Sequence, residues 1–224
     1  VHSDGAAHPD DALKEPDWLQ AMADIRGLPS GIVGFAALES PDLEALLADH
    51  AARPNVRGIR HIINWHANPR LTYSAADITT SDAWMRGFSL LGKYGLSFDL
   101  QGYPGQFEHL AGLIAKHPEI QVILDHTGMA VSADADGWDV WRGGMAALAA
   151  LPNVAVKISG MGFTWRPWSI EQARPYVLET IELFGADRAM FASNFPTDKL
   201  FGSFEAHLGA YDAITPDFSH AERA

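Results

Sequence analysis

The sequence predicts an α/β fold: a (β/α)8 TIM barrel, incomplete at its N-terminal end and clipped at its C-terminal end. Three observations lead there. Short apolar runs alternate with helix-length amphipathic segments about six times, the pattern of parallel strands joined by right-handed crossovers. One run, Gln121-Val122-Ile123-Leu124, lies between two helical segments and passes directly into Asp125-His126-Thr127-Gly128. A strand buried on both faces behaves this way when it ends at a ligand-binding rim. No Gly-rich phosphate loop follows any strand, which disfavours an open doubly wound sheet. No shift in composition marks an internal boundary, so 1–224 reads as a single domain.

Taken in order, residues 1–15 lack periodicity and read as a loop. Pro16 and Asp17 open a helix over 18–26 that carries Leu19, Met22 and Ile25 on one face and stops at Gly27. Strands are then expected over 31–38, 56–64, 96–101, 121–124, 154–160 and 188–194. Their helices are expected over 40–52, 81–94, 106–116, 138–151, 170–184 and 203–214, and a longer loop, 65–80, follows the second of these strands. Such a barrel normally takes roughly 250 residues. Six strand–helix pairs behind an orphan helix therefore fit a barrel lacking its first strand, its first helix and most of its second strand. Ser219-His220-Ala221-Glu222 has the capping-box pattern of a helix start, two residues before the sequence ends.

Composition narrows the function classes. Hydrophobic residues make up 47% and charged residues 20%, enough for a core and too apolar for disorder. A formal charge of -12 argues against nucleic acid or an anionic membrane as the main partner, while a local cation in a pocket still admits an anionic small molecule. There is no cysteine, which removes disulfides, thiolate zinc sites and a thiol nucleophile, and suits the cytoplasm. No segment reaches the ~20 apolar residues of a membrane span, and the start has no signal-peptide pattern.

The strand ends carry the candidate chemistry. Side chains alternate along a strand, so Arg60, Ile62, Asn64 and His66 share one parity, Asp99 and Gln101 another, and Lys157 and Ser159 a third. Polar residues there are expensive as core unless they partner each other or a ligand. Gln101, His126, Lys157 and Asn194 are accordingly expected to emerge around one rim. Singly, each has a plainer reading: Asp125 as a loop cap, Lys157 or Arg60 as half of a buried ion pair, Trp65 as a rim cover. Asp198 reads as a base or a helix cap. His109 and His117 read as surface groups on helices, and His50, His61, His207 and His220 carry no further signal. Ser193 has no nucleophile-elbow pattern around it.

These motifs resemble a known family. Ile123-Leu124-Asp125-His126-Thr127-Gly128, Val156-Lys157-Ile158-Ser159-Gly160 and Met190-Phe191-Ala192-Ser193-Asn194-Phe195-Pro196-Thr197-Asp198 are similar to the amidohydrolase-2 branch of the amidohydrolase superfamily. Val56-Arg57-Gly58-Ile59-Arg60 and Asn64-Trp65-His66 fit its sugar-lactone and dicarboxylate-lactone hydrolases. The resemblance covers nearly the whole chain. It implies a TIM-barrel hydrolase that opens a lactone, or a related ester or amide, of an acidic small molecule. Two departures stand out. The family's first strand carries a His-x-His pair, and this sequence has none. Where the last strand often ends in a water-activating Asp, this chain has Asn194, so that Asp198 or His126 would have to act as base.

The expected mechanism is water attack on a lactone carbonyl at the barrel mouth. His126 and Asp198 are the catalytic candidates, and Arg60, His66, Gln101, Lys157 and Asn194 bind substrate. The resemblance leaves the cofactor as none, or one divalent metal (Zn or Mn) if a His-x-His strand belongs to the full protein; His126 is the one ligand to propose. The alternatives are a metal-dependent hydrolase or decarboxylase, or an inactive barrel remnant that binds a ligand or a partner chain. Exposed strand edges in such a remnant would favour a homo-oligomer.

Overall fold

Ser and Asp side chains set the starts of four long helices, each by accepting the backbone N–H three residues on. The caps are Ser81 from Trp84 (3.2 Å), Asp134 from Gly137 (2.8 Å), Ser169 from Gln172 (3.3 Å) and Ser203 from Ala206 (3.1 Å). In the computed structural model the structure describes residues 1–3, 9–132 and 134–223. Among the described residues, seven strands follow one another in sequence order. The chain groups into two units, Val1–Gln101 with Leu113–Val122 and Gly102–Gly112 with Ile123–Ala224.

The first unit contains β1 (His2–Ser3), α1 (Lys14–Arg26), β2 (Ile32–Phe35), α2 (Leu43–Ala51), β3 (Val56–Ile62), α3 (Asp82–Tyr94) and β4 (Ser97–Gln101). Its strands pair in parallel. The stretch read as a loop over 1–15 differs. His2 and Ser3 pair with Ile32 and Val33, Pro9–Asp11 form a 3-10 turn, and α1 begins at Lys14; residues 4–8 lie outside the described residues. A two-residue strand has no periodicity of its own; pairing with β2 creates it. Along β4, alternation sends Phe98 and Leu100 to one side and Ser97, Asp99 and Gln101 to the other. Phe98 lies 5.8 Å from Trp84 and 5.6 Å from Phe88, both on α3, in edge-on contacts. Each of these buried rings contributes roughly 1.5–3 kcal/mol by leaving water.

The second unit holds β6 (Val154–Ile158), α6 (Met161–Thr164), α7 (Ile170–Phe184), β7 (Ala189–Phe191), α8 (Phe204–Ile214) and α9 (His220–Arg223). Before them come α5 (Ala135–Ala149) and the segments α4 (Pro104–Ile114) and β5 (Val122–Leu124), which straddle the division. β6 and β7 are parallel, with Ile158 opposite Phe191. Arg188, read as the first residue of the last strand, precedes β7 instead. Its guanidinium bonds the carbonyls of Ala149, Leu151 and Val154 at 2.9–3.0 Å, tying the open C-terminal end of α5 to the start of β6. The Ser219 capping box forms as expected, since Ser219 Oγ receives the Glu222 N–H and the Glu222 carboxylate receives the Ser219 N–H. Among the described residues no helix is long and apolar enough to cross a membrane.

Candidate active site

The second unit concentrates its polar groups where β5, β6 and β7 end. Beyond Leu124 the backbone turns sharply, with φ of 55° at His126, 53° at Thr127 and 46° at Met129. A β-branched residue in this left-handed region is strained, at roughly 1–2 kcal/mol per residue. Hydrogen bonds hold it there. The Thr127 hydroxyl donates to the Ser159 carbonyl (3.1 Å) and accepts from the Ser159 N–H (3.2 Å). The Trp141 indole donates to the Thr127 carbonyl at 2.8 Å. These bonds fix the His126 ring, whose Nδ1 lies 3.0 Å from Ser159 Oγ and whose face tilts against Phe163 at 5.3 Å. Gly160 is required beside it. Its φ is 70°, and a Cβ there would come within 2.8 Å of His126 Cβ. A cavity of about 10 Å³ lies between His126, Thr127, Gly160 and Tyr176, room for about one water.

Charge is arranged around this turn. Lys157 Nζ sits 3.0 Å from Asp125 Oδ1, with both side chains largely out of solvent, so the ion pair anticipated for Lys157 is present. Asp198 is fully buried in the 3-10 turn Thr197–Leu200, and Asn194 Nδ2 donates to its Oδ1 at 2.8 Å. Burial pushes the Asp198 carboxyl above its usual range, opposed by the Asn194 bond, the nearby His207 and the Gly160 N–H. Gly160 thus touches both His126 and Asp198.

In the first unit the expected parity holds, since Arg60 lies opposite Asp99 and Ile62 opposite Gln101 in the β3–β4 register. Asp99 is buried and accepts the Ser3 hydroxyl at 3.3 Å. His66 lies beyond the strand in the loop, where its Nδ1 accepts the Asn68 N–H at 2.9 Å. Within the second unit, His126, Lys157, Asn194 and Asp198 belong to neighbouring strand ends. Three residues carry more than their sequence signal. Thr127 and Ser159 act across strands, which no local pattern shows. His207, read as unremarkable, is buried on α8 against Asp198. His50 is also fully buried, with Nε2 2.9 Å from the Phe35 carbonyl oxygen.

A family model for amidohydrolases matches residues 3–224. The chain belongs to the amidohydrolase family. It is 45% identical over its whole length to the uncharacterized protein y4mH of Sinorhizobium fredii, of which it spans 75%. It is 28% identical to the L-fucono-1,5-lactonase of Burkholderia ambifaria, over 88% of this chain and 64% of that protein. The crystal structure of an amidohydrolase from Burkholderia multivorans with bound zinc matches at a TM-score of 0.78 and 24% identity, covering 93% of this chain and 74% of that one. The fold is accordingly α/β, an incomplete (β/α)8 barrel of the amidohydrolase kind. Zinc raises the question of a metal here. Among the described residues no three His, Asp or Glu side chains gather as ligands, and His126 has Nδ1 beside Ser159. Among the described residues the donors do not make a complete metal site around His126.

Proposed function

We propose that this amidohydrolase opens the lactone ring of an acidic or sugar-derived small molecule. The observation that carries this reading is the His126 turn: a strained strand end held by Thr127 and Ser159, beside the Lys157–Asp125 pair. Strain of this kind persists where surrounding structure over-determines it, and such places are commonly functional. Kinship with an L-fucono-1,5-lactonase supports the substrate class.

In the proposed reaction His126 accepts a proton from water as the water oxygen bonds the lactone carbonyl carbon. The ring C–O bond then breaks, and the proton passes to the departing ring oxygen, giving the open hydroxy acid. Lys157 stabilises charge developing on the carbonyl oxygen, where one well-placed donor is worth roughly 3 kcal/mol. Asn194 binds substrate beside them. Asp198, the other candidate base, is screened from solvent and already engaged by Asn194, which favours a supporting role behind that amide. The enzyme is expected to work in the cytoplasm.

The test is a screen of acidic and sugar 1,5-lactones, with and without chelator, on wild type and His126→Ala. Ring opening by wild type and at least ~100-fold loss in the variant support the assignment. Equal slow rates for both would sink it.

A further inference from the structure

We propose that His207 and Asp198 form a buried pair that locks the Asn194 amide in one orientation, so that its Oδ1 is a fixed acceptor selecting substrates with a hydroxyl or N–H donor at that point. The proposal deepens the lactonase reading and rests on Asn194 facing substrate.

A carboxylate only accepts hydrogen bonds. With Asp198 Oδ1 2.8 Å from Asn194 Nδ2, the amide must turn its NH2 inward, and Oδ1 is left on the other side. Asn194 is half-buried, and its backbone is held at a φ of 50°; where it faces substrate, that oxygen is the atom it presents. Behind the carboxylate stands α8. His207 places Nδ1 3.9 Å from Asp198 Oδ2 and Nε2 3.3 Å from the Asp198 carbonyl oxygen. Its ring is clamped by Trp168, stacked at 4.8 Å, and by the edge of Phe195 at 5.9 Å. Ser203 caps α8 and receives the His207 N–H, which fixes the imidazole one turn into the helix. The remaining groups that face Asp198 are the Gly160 N–H and the Tyr211 phenol, which donates to the Ala192 carbonyl at 3.2 Å. The carboxylate is therefore bonded by the Asn194 and Gly160 N–H groups and faced by the His207 imidazole, while the phenol gives its proton to the Ala192 carbonyl. A substrate hydroxyl meets an acceptor at Asn194, whereas an ester or carboxylate oxygen in the same place meets a repelling lone pair.

The pair has a consequence that simple scaffolding lacks. An amide in place of Asp198 can accept or donate, so the Asn194 amide would be free to turn either way and the selection would be lost. Buried scaffolding alone would lose stability without loss of selection.

The experiment has two arms on wild type, Asp198→Asn, His207→Leu and His207→Gln, each first checked for native circular dichroism. In the first, side-chain amide NMR of 15N-Asn-labelled protein follows the Asn194 NH2, assigned with Asn194→Ala. Wild type should show one proton shifted downfield and exchanging slowly. His207→Leu should speed its exchange at least tenfold, and His207→Gln, which keeps an N–H donor, should restore the slow rate. In the second arm, kcat/KM is compared for L-fucono-1,5-lactone and its monodeoxy analogues. One deoxy position should cost wild type at least tenfold, and His207→Leu and Asp198→Asn should erase most of that discrimination through KM. Asn194 signals that ignore both Asp198→Asn and His207→Leu would overturn the proposal. So would unchanged discrimination in an active enzyme. Should wild type open no lactone, the lactonase reading fails, and the NMR arm alone decides whether the amide is locked.

Discussion

Thr127 shows how much one hydroxyl can be asked to do. It joins β5 to β6 by donating to and accepting from the Ser159 backbone, and it does so from a left-handed conformation that its β-branch resists. Replacing it by Val keeps the shape and removes both bonds, leaving a buried N–H and carbonyl unsatisfied. The expected loss is about 1–3 kcal/mol in urea unfolding, with kcat for lactone opening down at least ~10-fold as His126 loses its setting. Thr127→Ser should recover most of both. A Val variant as stable and active as wild type would show that the turn does not depend on the hydroxyl. His50 makes a second prediction at this scale. Burial pushes its imidazole below the ordinary histidine range, aided by Arg53 and opposed by the Phe35 carbonyl, Asp49 and Asp17. The folded state thus binds this proton less readily than the unfolded chain. Its stability is complete above the unfolded value of about 6.5 and falls as pH drops below it. Unfolding midpoints measured from pH 8 to pH 5.5 should decline, and His50→Gln should flatten part of that slope. His61, also lowered by burial, contributes in the same direction.

Helices and strands were legible in the sequence where a period repeats, and illegible where a partner creates the element. The helix over Ile170–Phe184 is found at its expected bounds, and α3 ends one residue before Gly95, as its glycine stop implies. β1 was invisible because two residues carry no alternation, and the 3-10 turn over His126–Gly128 was invisible because its left-handed backbone is held by distant groups, Ser159 beyond β6 and Trp141 on α5. The parity of Arg60 with Asp99 was readable, since alternation is a local property that pairing merely reveals. A test belongs to the contact of α3 with the loop after β2. Ala usually improves a helix by about 1 kcal/mol over Gly. At Gly87, however, a Cβ would stand 1.8 Å from the Leu38 carbonyl oxygen and 2.8 Å from Leu43. Gly87→Ala should therefore lower stability by about 1–3 kcal/mol through overpacking, read as a lower denaturation midpoint. A gain in stability would mean that α3 is free to move away.

For the whole molecule, charge is the property that composition states most directly and that the local site must work against. The formal charge is -12, so an anionic lactone meets a repulsive field at distance and attraction only near cations such as Lys157. Exposed charges are screened over about 8 Å at physiological salt, whereas partly buried groups are screened much less. Salt should accordingly weaken the distant repulsion more than the local attraction. Raising NaCl from about 10 to 150 mM is expected to lower KM for a carboxylate-bearing lactone by about two- to fivefold, while kcat stays level. An uncharged sugar lactone, measured beside it, should show no change. The opposite trend, KM rising with salt for the anionic substrate, would mean that the site's own cations dominate its field out to solvent. The acidic surface would then be irrelevant to capture, and the substrate's negative charge would have to be bound directly by Lys157 or Arg60. Lys157→Met alone would uncover the Asp125 carboxylate 3.0 Å away, so Lys157→Met with Asp125→Asn separates the two cases: KM should rise far more for the anionic lactone than for the neutral one only if the lysine makes that contact.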